Sequence, residues 1–87
     1  MQTIRYQRRP EVLKQAGLSN STLCKRINEG LFVPPINLGL RAVGWLEHEV
    51  NQVLAIIAEG RTANEVRMLV RELIQSRKAL TKEGGVR

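Results

Sequence analysis

The stretch AGLSNSTLCKRINEG, residues 16–30, carries a helix stop and a helix start within four positions. Gly17 is the residue type that ends a helix in the left-handed conformation, and Ser19 has the hydroxyl that accepts a free N–H in the first turn of the next one. The spacing predicts a helix from Asn20 to Glu29. On it Leu23 and Ile27, four apart, share an inward face with Leu18, and Gly30 ends the helix as Gly17 ends its predecessor.

Upstream, RRPEVLKQAG (residues 8–17) supplies that predecessor. Pro10 suits a first helical turn because its missing N–H needs no intrahelical partner there, and Glu11 complements the helix dipole. Val12, Leu13 and Ala16 form its buried side, giving a helix of about two turns. Two short helices joined by Gly-Leu-Ser make a helix-turn-helix. The leading MQTIRYQ shows no period and reads as a short lead-in, with Ile4 and Tyr6 placed to cover the edge of the core.

Downstream, LFVPPINLGLRAVGW (residues 31–45) excludes helix through Pro34 and Pro35. INL and AVGW are β-prone pieces around GLR, where Gly39 supplies a positive φ, so a two-stranded hairpin, a wing, is expected to lean on the helices. A third helix follows, with Leu46, Val50, Val53, Leu54 and Ile57 at helical spacing, Glu47 and Glu49 in its first turn, and Gly60 at its close. Thr62 and Glu65 then form an S/T-x-x-E capping box before an apolar stripe of Val66, Leu69, Val70, Leu73 and Ile74, with Leu80 beyond. This predicts a long fourth helix with a frayed end from Thr81. The expected fold is mostly α with a small β-hairpin wing: a winged helix-turn-helix over residues 1–60 and a C-terminal amphipathic helix over residues 61–87.

Composition bounds the function. At 87 residues the chain holds one small core, and only Tyr6, Phe32 and Trp45 supply large aromatic packing. No apolar run is long enough to span a bilayer and no signal-peptide pattern opens the chain, so a cytoplasmic location is expected. One cysteine and one histidine cannot assemble a disulfide or a Cys/His zinc set, and neither cofactor nor small-molecule ligand is indicated. His48 reads as structural, Cys24 as a semi-buried inert thiol, and the glycines form no phosphate-cradling loop, so no enzyme is expected. The charge is uneven. Residues 1–45 hold seven basic and two acidic side chains, net +5, while residues 46–87 hold seven and six, net +1. The positive field belongs to the half containing residues 16–30, which points to a polyanionic partner.

That partner is double-stranded DNA on this reading. Asn20, Ser21, Thr22, Lys25 and Arg26 lie on sides of the second helix able to face outward, and they are residue types that bond adenine edges, guanine edges and phosphates. Ser19 stands at the helix N-terminus, which favours a phosphate. Arg41 at the wing tip reaches for a minor groove or phosphate, and Arg8 and Arg9 for the flanking backbone. The fourth-helix stripe, Val66, Leu69, Val70, Leu73, Ile74 and Leu80, has two uses. It folds back on the third helix, or it pairs two protomers into a homodimer that reads two half-sites.

Taken in order, RRPEV, GLSNSTL, EGLFVPPINLG and RAVGWLEHEV resemble the AlpA family of prophage regulatory proteins, related to excisionases and to the MerR-type winged helix. The resemblance spans residue 8 to about residue 57. It implies a MerR-like winged fold and a transcriptional regulator of a prophage or integrated element, with the helix after Ser19 as recognition helix and Arg41 as the wing arginine. Cys24 stands where the family usually has an aromatic residue, commonly Tyr, and Arg26 where it usually has an apolar one. The second departure implies a narrower packing face or a more basic DNA-facing side. Two other functions share the same features: an excisionase-like protein that bends DNA, and an adaptor acting through the fourth helix.

Overall fold

In the computed structural model the turn at Gly17 forms as its residues dictate. Gly17 takes φ 70°, and its N–H and that of Leu18 both donate to the Leu13 carbonyl, at 2.8 and 3.1 Å. Ser19 Oγ accepts the Thr22 N–H at 3.3 Å and starts the next helix. The structure describes residues 5–39 and 42–83, with side chains through residue 77. In chain order they form β1 (Tyr6–Gln7), α1 (Arg9–Ala16), α2 (Asn20–Asn28), β2 (Ile36–Gly39), β3 (Ala42–Leu46), α3 (Glu47–Ala58) and α4 (Ala63–Glu83). This is a mostly helical winged helix-turn-helix with a small antiparallel sheet in the order β1-β3-β2.

Two expectations along the chain change. The lead-in is a strand: Tyr6 pairs with Leu46 and Gln7 with Trp45. Two residues carry no readable period, so only the neighbouring β3 edge makes them a strand. Tyr6 stays half exposed rather than covering the core, and Ile4 lies outside the described residues. At the other end α4 extends into the stretch expected to fray from Thr81, as far as Glu83, and residues 84–87 lie outside the described residues.

Gly44 explains how three strands fit. A Cβ there would stand 2.8 Å from a Leu38 methyl and 3.1 Å from the Gln7 carbonyl, which is backbone and cannot turn aside. Gly44→Ala is therefore expected to cost about 1–3 kcal/mol through overpacking. The measurement is the thermal midpoint, which falls by roughly 4–8 °C per kcal/mol in a domain of this size. An unchanged midpoint would mean that β1 is not held against Gly44.

The core collects Val12 from α1, Leu23 from α2, Phe32 and Val33 from the connecting segment, Trp45 from β3, Val50 and Val53 from α3, and Val66, Val70 and Leu73 from α4. α4 is thus part of the same core, packed along α3. Of the α3 residues expected inside, Ile57 is exposed, and Ile56 packs against the core instead.

The α4 capping box forms as its spacing requires. Glu65 accepts the Thr62 N–H at 3.0 Å and returns its own N–H to Thr62 Oγ1 at 3.2 Å. The Thr62 N–H foremost, and then the Arg61 charge, hold the Glu65 carboxyl below its ordinary value against the opposing effect of desolvation. A depressed carboxylate contributes stability above its unfolded-state pKa that is lost as pH falls through the folded value.

Candidate nucleic-acid interface

With Leu23 pointing inward, 100° per residue places Ser21, Lys25 and Asn28 on the far side of α2, flanked by Cys24. All four are exposed. A lysine, an amide and a hydroxyl on one helical face can donate to guanine, bond adenine and reach a phosphate. The wing, β2 and β3, stands beyond the connecting segment, with Asn37 opposite Val43 in its register.

The other residues expected on this surface divide by what they touch. Ser19 and Thr22 are joined hydroxyl to hydroxyl at 2.9 Å and serve the helix cap. Asn20 is exposed, yet its carbonyl accepts an Arg9 N–H at 2.9 Å. Arg9 is half-buried, its guanidinium 5.1 Å from the centre of the Trp45 ring, so it binds α1 to α2 and β3. Arg8 is exposed at the α1 N-cap, where its backbone N–H donates to Glu11 at 2.8 Å. Arg26 is half-buried on the flank of α2, where it lines a shallow cavity with Leu31, Ile57, Arg61, Ala63 and Val66. That flank faces the end of α3 and the start of α4. Arg41 lies outside the described residues.

Cys24 is exposed, not semi-buried, because it sits about 100° around the helix from Leu23. Asn28 was open to the same geometric reading, five residues after Leu23 at about 140°. The second helix therefore presents Ser21, Cys24, Lys25 and Asn28 outward, and keeps Arg26 to one side.

The stripe offered for dimerisation has its own place. Val66, Val70 and Leu73 are 4, 3 and 6 % exposed within this chain's core, and Leu69 and Ile74 pack against it at partial burial. The Leu80 side chain lies outside the described residues.

Two arginines of α4 have partners that no spacing announces. Arg67 Nε donates to the Glu29 carbonyl at the end of α2, at 2.9 Å. Arg77 Nε meets both oxygens of Glu49 at 3.0 and 2.9 Å, while its Nη2 bonds Glu49 and the Pro34 carbonyl, the latter at 2.8 Å. Glu49 stands in the first turn of α3 and is 1 % exposed. Among the described residues no cluster of three or more His, Cys, Asp or Glu is arranged to hold a metal, and no helix is long and apolar enough to cross a membrane.

A family model described as "Prophage CP4-57 regulatory protein (AlpA)" matches residues 5–55. The chain is also similar to the uncharacterised protein ORF88 of Enterobacteria phage P4, at 42 % identity over 57 residues, which is 66 % of this chain and 65 % of that protein. It therefore spans just under two thirds of the length of this curated relative. No solved structure matches it. The matched residues contain α1, the turn, α2, the three strands and most of α3, and they stop before α4.

Proposed function

The chain belongs to the AlpA family of prophage regulatory proteins, and from that premise we propose that it is a sequence-specific DNA-binding regulator of transcription, acting in the cytoplasm on genes of a prophage or integrated element. The observation that carries the proposal is the exposed face of α2, where Ser21, Lys25 and Asn28 follow a tight turn and precede a wing. α2 lies in the major groove with this face to the base edges, and Arg8 and the wing meet flanking phosphates. Regulation follows from occupancy of the site. If two copies bind together, they meet through surfaces other than the buried Val66, Val70 and Leu73.

Selection of bound sequences from a random DNA pool tests this directly, with Lys25→Ala and Asn28→Ala measured on the selected site. Asn28→Ala is expected to cost about 1–3 kcal/mol and relax preference at one base pair. Lys25→Ala is expected to lose affinity, with a relaxed preference if it bonds a base and a reduced salt dependence if it bonds a phosphate. Undiminished affinity and preference in both variants would remove α2 from the interface. An inverted pair of half-sites in the selected sequence marks a homodimer on DNA, and a single half-site marks a monomer.

A further inference from the structure

The six residues from Glu29 to Pro34 join the recognition helix to the wing, and α4 grips both ends of them. At the first end, Arg67 Nε bonds the Glu29 carbonyl at 2.9 Å, and the Arg67 side chain lies 3.7 Å from where a Gly30 Cβ would stand. At the second, Arg77 Nη2 bonds the Pro34 carbonyl at 2.8 Å. Between them Phe32 and Val33 are buried, and the Val33 carbonyl accepts the Trp45 indole N–H at 3.0 Å. Arg77 stands ten helical steps after Arg67, about 15 Å along α4 at 1.5 Å per residue.

The chemistry of the two contacts separates placement from charge compensation. Arg77 answers the buried Glu49 charge through its fork on both carboxylate oxygens. Its bond to Pro34 is additional, and a guanidinium holds it in a direction fixed by the same fork, which a lysine ammonium cannot reproduce. The Glu29 carbonyl is at the C-terminal end of α2, where a cation is favourable, and Arg67 reaches it from a helix 38 residues away in sequence.

We infer that Arg67 and Arg77 are positioning residues, through which α4, a helix outside the family match, holds the recognition helix and the wing in one fixed relation for DNA. The inference rests on the DNA-binding reading for its consequence, but its structural half is measurable without DNA. Without these contacts α2 and the β2–β3 wing keep their own structure and lose their mutual orientation, so that the groove and flanking contacts no longer form together.

Arg67→Met keeps the aliphatic stem and removes the guanidinium, and Arg77→Lys keeps a cation beside Glu49 while losing the fork. Amide hydrogen exchange of the free full-length variants is compared with the parent. Exchange is expected to rise about tenfold, equivalent to about 1.4 kcal/mol, at residues 31–33, 36–39 and 42–44, with the α3 amides unchanged. On the selected DNA, affinity is expected to fall about tenfold with an unchanged slope of log K against log salt, because neither arginine neutralises a phosphate.

Unchanged exchange in the segment and wing would overturn the inference. So would an equal rise across α3, which marks general destabilisation, or a reduced salt slope, which marks direct phosphate contact. If Arg77→Lys does not fold, Arg67→Met still decides. Failure of the parent protein to bind DNA would refute the proposed function, and the exchange result would still stand or fall by itself.

Discussion

A chain ending at Gly60 is expected to be unfolded. Such a chain keeps every residue of the helix-turn-helix and wing, but it loses Val66, Val70 and Leu73, all buried in the common core. At about 1.5–3 kcal/mol for each fully buried aliphatic side chain, that is on the order of 5–9 kcal/mol. It also loses Arg77, the ion-pair partner of Glu49. A small domain has only about 5–15 kcal/mol of net stability. Circular dichroism and amide proton dispersion of residues 1–60 measure the outcome, and a cooperative melt would show that α4 is dispensable to the core.

Trp45→Ala is expected to be the most damaging single substitution, by about 3–5 kcal/mol. Three contacts meet in this side chain. The ring is fully buried, its Nε1–H donates to the Val33 carbonyl at 3.0 Å, and its face lies under the Arg9 guanidinium. Losing the indole leaves a buried carbonyl unpaired, which by itself costs about 1–3 kcal/mol. It also frees Arg9, which bonds Asn20 at the start of α2. The thermal midpoint should fall by more than about 12 °C, and Trp45→Phe, which keeps an aromatic ring without the N–H, should fall between the two. Because Trp45 is the only tryptophan, far-UV circular dichroism is the readout. A shift of only a few degrees would show that Trp45 does not join the wing segment to the core.

The legible parts of the molecule share a range of interaction. Gly17 at the turn, the Ser19 cap and the Thr62–Glu65 box act over three to five residues, so residue type and spacing decide them. The family likeness was legible in the same stretch, in the order of RRPEV, GLSNSTL, EGLFVPPINLG and RAVGWLEHEV, and residues 5–55 match the family. The candidate site was legible only in part. Lys25 and Ser21 face outward, but Thr22 and Asn20 are engaged within the protein and Arg26 turns to the flank. Asn28 could be placed by counting 100° steps from Leu23, because one buried residue sets the phase of the whole helix.

What residue type alone determined about this protein is the punctuation of its helices, the wing and the net positive charge of its first half. The tertiary structure decided the rest. It made Tyr6 and Gln7 a strand by offering the β3 edge, buried Glu49 against Arg77 across 28 residues, and set Arg67 on the end of α2. It also turned the α4 stripe into this chain's own core. The physical reason is that an apolar stripe or a lone charge specifies only that it needs a partner. Which partner it finds depends on the packing of elements distant in sequence.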